Sequence, residues 1–435
     1  MGYRKQLENT ANISYNLEQF NKPVYEIPSL KNLLKQRVRD GIYHCAVPER
    51  LDLYFENFEN KSKNDVQTIL VCMNAAVGKR HEKCAPFFSG LGVNRVLKQP
   101  LIAISDPTVS SYPLSLAWYA GSEKCLALQK DMASFLDQIA SKYKAKLVLF
   151  GGSGGGFAAL ALAAFLKTDT TLLISNPQTS ISRYIYGFVK DYIQQAFPSN
   201  SAALKALDSK PHSDRVRTLY EALDSFGVLH DVTGLQIPHH IKLIYLQNKS
   251  DSHVADHAVP FIKNRKCTLI GQNSLECDNG GIFFGSWGKG HVGPNSNIVA
   301  AVLRKIIENQ SVKSIIDDLE NGLDGLNPND GRLIFLNRLQ YKLFPKTSVA
   351  DRSINIQCAI KRNGIPFKDD ELNYAFYLMD GNKRIASRYY SGLNSYRFDL
   401  PKQFQKLSVR CFVRDKFNQI IAADSAQLNI RPEGN

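Results

Sequence analysis

The sequence predicts an α/β protein with a mostly parallel, doubly wound sheet, followed by a smaller all-β domain. Three observations carry this. From Gln67 to about Leu319, short continuous apolar runs alternate with amphipathic stretches of helical period. Beyond Asp351 the apolar period changes to two. Between them lies NGLDGLNPND, Asn321–Asp330, a break rich in Gly, Asn, Asp and Pro at which domains part. A chain of 435 residues is also longer than one core usually serves.

The elements follow in order. Residues 1–60 read as a mixed segment packed on the core, with helical spacing over Leu30–Arg39 and Ile42–Phe58 ambiguous between strands and a short helix. Strands are expected at Thr68–Met73, Pro100–Ser105, Ala145–Phe150, Thr171–Ser175, Ile241–Gln247 and Lys266–Ile270, each apolar throughout, as buried parallel strands are. Helices are expected at Lys124–Tyr143, Gly156–Leu166 and Asn297–Leu319, and 180–226 is too long for a plain crossover and reads as a helical cap. The catalytic domain is thus placed at 61–320, with a linker and a short helix, Arg332–Leu343, in 321–352. In 353–435, Ile354, Ile356, Cys358 and Ile360 alternate with polar residues, and Asn363-Gly364, Asp380-Gly381 and Ser391-Gly392 are turn signals. That spacing predicts an immunoglobulin-like β-sandwich with Cys358 and Cys411 as a reduced buried pair.

Composition bounds the function. With 44% hydrophobic and 22% charged residues the chain is globular rather than disordered. No apolar run reaches the length of a membrane span, and MGYRKQLENT has no apolar stretch behind its basic residues, so no secretory leader is expected. Eight cysteines without a close pair read as free thiols of a reducing compartment, with no zinc site or disulfide, and the expected location is the cytoplasm. Lys and Arg outnumber Asp and Glu by 54 to 40, a formal charge of +14 that favours polyanionic partners. Basic runs and nucleic-acid-binding signatures are missing, so nucleic acid is not expected.

The chemistry centres on KLVLFGGSGGGFAALALAAFL, Lys146–Leu166, where a strand runs into a helix through Gly151-Gly152-Ser153-Gly154-Gly155. A G-x-S-x-G match alone is weak. A strand that turns directly into a helix, however, needs small residues around a strained serine, and lifts its hydroxyl above the carboxyl edge of the sheet. The N–H of Gly154 and the positive helix end then face any oxyanion formed there. A serine needs a base and an orienting acid, in the chain order Ser, Asp or Glu, His. Asp251 follows the strand Ile241–Gln247, and His291 lies in the loop Gly288–Pro294, so Ser153, Asp251 and His291 are the expected triad. Asp256 is the alternative acid. His253, His257 and Asp256 could face one way as metal ligands, but lack proper zinc spacing, so no metal is expected; His239 and His240 have no expected role. Asn74 and Ala75, after the first core strand, are expected to offer the second backbone donor of the oxyanion hole. Lys79, Arg80 and Lys83 make that rim basic, suited to phosphate or an acidic sugar. Asn176, Pro177 and Gln178 are placed at the pocket border.

LVLFGGSGGG, LIYLQNKSD and GKGHVGP together resemble the α/β-hydrolase family over roughly Asp65–Gln310. Within it, ISNPQTSISRY, the N-x-x-D-x-H turn and the late G-H-V-x-P look most like enzymes of bacterial capsule and surface-glycan biosynthesis, including capsule O-acetyltransferases of hydrolase fold. The resemblance implies an α/β-hydrolase-like sheet with a helical cap and a triad of Ser153, Asp251 and His291. It further implies acetyl-CoA as acyl donor, with no tightly bound cofactor, and an anionic polysaccharide acceptor. Homo-oligomerisation and association with capsule assembly at the inner membrane are expectations of the same kind. An esterase, deacetylase or thioesterase with the same triad is the alternative, and a non-catalytic glycan-binding protein a second. The C-terminal domain lies outside the resemblance, and acceptor binding or oligomerisation is expected of it.

Overall fold

A computed structural model describes residues 14–46, 48–59, 66–199, 212–323, 341–362, 365–366, 372–414 and 420–428. Its contacts divide the chain into two units, Met1–Pro328 and Asn329–Asn435.

The first unit is built on one eleven-stranded sheet. Its strands are β1 (Val24–Glu26), β2 (Gly41–Cys45), β3 (Leu51–Glu56), β4 (Thr68–Met73), β5 (Leu101–Ile104), β6 (Lys146–Gly152), β7 (Thr170–Ser175), β8 (Ile241–Asn248), β9 (Cys267–Leu269), β10 (Ser274–Cys277) and β11 (Gly280–Gly285). The spatial order is β1-β2-β3-β5-β4-β6-β7-β8-β11-β10-β9. From β5 to β11 all neighbours are parallel, and β3 runs antiparallel to both β2 and β5. The run β2-β3-β5-β4-β6-β7-β8-β11 is the strand order of an α/β-hydrolase sheet.

These strands are apolar on both faces because helices cover both. α1 (Leu30–Lys35), α4 (Leu128–Tyr143) and α5 (Gly154–Ala163) lie together on one side; α2 (Leu91–Leu97), α9 (Ser296–Ile307) and α10 (Val312–Asp318) lie together on the other. α4 buries Met132, Phe135, Leu136, Ile139 and Tyr143, the i, i+3, i+4, i+7 stripe that a covering helix needs. α9 does the same with Ile298, Val299, Val302, Leu303 and Ile306, packed on Leu70, Val148 and Ile244 of the sheet. A single helix over Asn297–Leu319 is not formed. Asn309 adopts a left-handed φ of 61° and Ser311 caps α10 by accepting from Ser314 N, so the helix restarts.

Three findings depart from expectation. Residues 24–56 supply β1, β2 and β3 of the sheet instead of packing on it; Gly41–Cys45 is buried at every position, which hides the alternation that would have marked a strand. Glycine obscures the strand β11 in the sequence. A Cβ at Gly280 would stand 2.6 Å from Leu243 O, and one at Gly281 2.5 Å from Ile316 Cγ1, so this strand passes too close to β8 and α10 for side chains. The expectation of free thiols throughout is also corrected. Antiparallel β9 and β10 place Cys267 opposite Cys277, and the two form a disulfide; the other six cysteines are in no disulfide.

Where a cap was expected, a 3-10 turn at Ile181–Arg183 leads into α6 (Tyr186–Ala196), and α7 (His212–Ser225) follows; residues 200–211 lie outside the described residues. After β8 the chain makes a π-helical turn, Val254–Ala258, that continues into α8 (Val259–Lys263). A short α3 (Pro107–Ser111) follows β5. Among the described residues no helix is long and apolar enough to cross a membrane.

The second unit has two four-stranded antiparallel sheets. One holds β12 (Tyr341–Ala350), β13 (Ser353–Arg362), β14 (Ile365–Pro366) and β17 (Ser395–Asp399); the other holds β15 (Asn373–Asp380), β16 (Lys383–Ser391), β18 (Leu407–Arg414) and β19 (Ile420–Gln427). One core joins them: Ile354, Ile356, Cys358 and Ile360 from the first sheet meet Phe376, Leu378, Val409 and Cys411 from the second. Cys358 and Cys411 are buried free thiols in contact. The short helix expected over Arg332–Leu343 lies outside the described residues up to 340, and Tyr341–Leu343 open the strand β12.

Candidate active site

β6 runs into α5 with no linker, and Ser153 sits at the corner with φ 54° and ψ −119°. For a non-glycine residue this backbone costs roughly 1–3 kcal/mol and persists only where surroundings enforce it. They do. Ser153 N–H donates to Ser175 O at 2.9 Å, and Ser153 O accepts from Phe157 N and Gln178 N. A Cβ at Gly151 would stand 2.3 Å from Gly155 O, and one at Gly155 2.5 Å from Met73 O, so only glycine lets strand, helix and the loop after β4 meet. As the first residue of α5, Gly154 keeps an N–H with no acceptor inside the helix.

Beyond the end of β8, the side chain of Asp251 is fully buried. Its Oδ2 lies 2.7 Å from His291 Nδ1, and its Oδ1 accepts from His253 N at 2.9 Å. Burial alone would raise this carboxyl; the hydrogen bonds from His291 and from the His253 backbone outweigh it, and the group is held below its ordinary range. Asp256, the alternative acid, is exposed on the π-helical turn. His291 is carried by the loop after β11, which Asn248 brackets: its Nδ2 donates to Gly288 O at 2.8 Å and Gly290 O at 2.7 Å, and its Oδ1 accepts from Trp287 N. Ser250 Oγ donates to Gly288 O and accepts from Gly290 N. Asn176 Nδ2 donates to Val292 O at 3.0 Å, and Asn176 follows the Ser175 whose carbonyl holds the elbow, so the loop runs beside Ser153. The structure thus pairs Asp251 with His291 directly. Among the described residues no hydrogen bond joins Ser153 Oγ to His291; the hydroxyl accepts instead from Gln178 Nε2 at 2.8 Å.

Several expectations are corrected. The N–H of Asn74 is no oxyanion donor, because it is spent on Tyr119 Oη at 2.8 Å. The Tyr119 hydroxyl turns its own proton toward Asn74 Oδ1 and Ile104 O. Ala75 is half-buried, and its N–H has no acceptor among the described residues. Arg80 does not line a rim. It is buried, donates to Lys83 O and Val109 O and stacks on Phe87, which suits a loop staple rather than a grip on ligand. Lys79 is exposed and pairs with Glu82 at 3.4 Å. Gln178 is fully buried, with its Nε2 against the hydroxyl of Ser153. Asn176 and Pro177 are likewise internal: Asn176 Oδ1 accepts from Asn248 N at 2.7 Å, and Pro177 would touch any side chain at position 156.

The histidines near the acid sort themselves. The His253 ring lies 4.1 Å from that of His291, and burial, then the neighbouring His291, lower its affinity for a proton. His257 accepts from Thr179 N at its Nδ1 and is pushed down to about 3, chiefly by burial. Asp251, His253 and His291 offer ligand atoms within 4.8 Å of one another, the set here that could hold a cation, though its carboxylate and imidazole already bond each other. His240 bonds Leu166 O at the opposite edge of the sheet.

Trp118 and Tyr119 escaped sequence reading. Both are fully buried and both adopt left-handed backbone, φ 55° and 54°. Asp106 clamps the second by accepting from Tyr119 N at 2.8 Å, and burial pushes its carboxyl up to about 7. Aromatic residues in a turn-rich stretch read as ordinary core; the adjacent pair before Ala120-Gly121-Ser122 was the available signal.

No family model and no curated protein matches this chain. Among solved structures it is similar to the capsule O-acetyltransferase of Neisseria meningitidis serogroup A, at 14% identity and a TM-score of 0.39, over 65% of this chain and 100% of that one. It is also similar to an acetyl xylan esterase from Paenibacillus sp. R4, at 14% identity and a TM-score of 0.36, over 62% and 83%. A third is a peroxisomal alpha-beta-hydrolase from Saccharomyces cerevisiae, at 12% identity and a TM-score of 0.32, over 63% and 86%.

Proposed function

We propose that the chain is a serine acyltransferase that works through an acyl-enzyme, with Ser153 as nucleophile, His291 as base and Asp251 as the acid that orients the base. One observation carries the reading: a buried carboxylate fixes the imidazole of His291 at 2.7 Å in a loop beside a strained strand-to-helix serine. The carboxylate accepts from Nδ1, so Nε2 is the atom left to take the serine proton. In this structure Ser153 Oγ accepts from Gln178, and catalytic hydrogen bonds often tighten only with substrate bound. The oxyanion would be held by Gly154 N–H and Ala75 N–H.

The finer reading is an O-acetyltransferase with acetyl-CoA as donor and an anionic capsular or surface polysaccharide as acceptor. The resemblance of the elbow, acid turn and histidine loop supports it. So does the formal charge of +14, which suits both the CoA phosphates and a polyanion. In this reading the enzyme acts in the cytoplasm, where acetyl-CoA is made, close to capsule assembly at the inner membrane, and the second unit is an immunoglobulin-like sandwich that holds acceptor or a second copy. A hydrolase is the second reading, favoured by the 40% exposure of the His291 side chain, which lets water reach the base.

Incubation with labelled acetyl-CoA, with and without acidic oligosaccharides, separates the two. Acceptor-dependent transfer lost in Ser153→Ala supports the transferase, and acceptor-independent release lost in the same variant supports the hydrolase. Equal activity in wild type and variant rejects the triad.

A further inference from the structure

Of the two backbone candidates after β4, the N–H of Asn74 is taken by Tyr119, which leaves Ala75. A side-chain amide approaches the same serine. Gln178 is 0% exposed; its Nε2 lies 2.8 Å from Ser153 Oγ and its Oε1 2.7 Å from Trp118 Nε1. An indole N–H only donates, so the amide atom facing Trp118 is the oxygen and the atom facing Ser153 is the nitrogen. Chemistry therefore fixes an orientation that geometry alone leaves ambiguous. The nitrogen carries two protons. One goes to Ser153 Oγ, and the second has no acceptor among the described residues, which leaves it to a ligand oxygen. The amide also packs on Gly154, the other donor: a Cβ there would lie 3.4 Å from Gln178 Oε1 and 2.4 Å from Leu116 Cδ1.

We propose that the carboxamide of Gln178 is an oxyanion donor, a catalytic group in contact with the nucleophile, and that Trp118 is the positioning residue that sets its polarity. The proposal rests on the acyl-enzyme reading of Ser153. When Ser153 Oγ bonds to the acyl carbon, its proton passes to His291 and the carbonyl π pair moves onto oxygen. Oγ, now bonded to carbon, is a poorer acceptor, and the amide protons follow the charge to the new oxyanion. Collapse expels the thiolate, which takes the proton from His291. Within one strained dipeptide, Tyr119 occupies the N–H of Asn74 while Trp118 aims a side-chain donor at Ser153.

A fluorophosphonate probe tests this without knowledge of the substrate. Ser153 Oγ bonds to phosphorus, fluoride leaves, the serine proton passes to His291, and the phosphoryl oxygen occupies the oxyanion space. Labelling rates at Ser153 are measured by peptide mapping for wild type, Gln178→Ala, the isosteric Gln178→Glu and Trp118→Phe, each checked for an unchanged melting curve. Loss of one oxyanion donor slows Gln178→Ala and Gln178→Glu by about 10²–10³-fold above neutrality. Gln178→Glu regains rate as pH falls, since a protonated carboxyl donates again, the reverse of a pure base dependence; a merely structural role would not produce that profile. Trp118→Phe loses less than either. Labelling of folded Gln178→Ala or Gln178→Glu at the wild-type rate overturns the role of Gln178. Absence of any label on wild-type Ser153 overturns the acyl-enzyme reading itself.

Discussion

The two halves of the site are built in opposite ways. The nucleophile half, from β6 through Ser153 to α5, is buried and determined several times over: two backbone bonds to Ser153 O, one from its N–H, glycines that leave no room for a Cβ, and Gln178 locked by Trp118. The relay half hangs His291 from a loop with positive φ at Gly288 and Gly290, held by Asn248 and Ser250 and exposed by 40%. The contrast is chemical. Donors for a developing charge work best fixed in advance in a water-poor site. A base that exchanges protons with substrate and product needs access and some freedom of the loop that bears it.

Substitutions that break one half but not the other sharpen this, the largest effect first. Ser153→Ala should lower kcat by about 10⁴–10⁶-fold with little change in melting temperature, since the hydroxyl carries chemistry and not packing. Asp251→Asn should lower kcat about 10⁴-fold while leaving fluorescence and melting intact, because the amide presents the wrong partner to Nδ1 and selects the wrong tautomer of His291. His257 should dominate acid sensitivity between the halves. Its folded value of about 3 lies below the ordinary histidine value, so the stability from keeping it neutral is present above about pH 6.5 and lost as pH falls. Wild type should lose ~2 kcal/mol from this residue between about pH 7 and about pH 5, and His257→Asn, which keeps an acceptor for Thr179 N, should flatten the melting curve against pH.

Two milder changes test rigidity. Gly155→Ala forces a methyl toward Met73 O and should cost about 1–3 kcal/mol by chemical denaturation, with kcat falling as the elbow shifts. Asn248→Ala should cost about 1 kcal/mol and raise hydrogen exchange only at 286–292, with the probe-labelling rate at Ser153 falling more than stability. Equal loosening of both halves by either change would erase the distinction.

The positions of Ser153, Asp251 and His291, each after a strand, were legible from chain order and local turns, and β4, β6, β7 and β8 are apolar runs of ordinary length. What failed was set by tertiary contact. Asn74 looked like a donor to substrate, but its N–H donates to Tyr119, 45 residues away. Arg80 looked like a surface charge, yet its fold onto Phe87 and Val109 O buries it. Gln178 was legible only as a residue near the pocket; its orientation comes from the meeting of 118, 153 and 178. β11 lacked its apolar signature because neighbours fill the space of its side chains, and Cys267 and Cys277 meet only through a hairpin register that the sequence hid with it.

The most direct measurement is rapid acid quench of the protein mixed with acetyl-CoA in the absence of acceptor, followed by peptide mapping. An acetyl ester on Ser153 that forms before steady state, and that Ser153→Ala and His291→Ala fail to form, is the predicted result. Full turnover by Ser153→Ala, or an acetyl group found only on another side chain, would contradict the account.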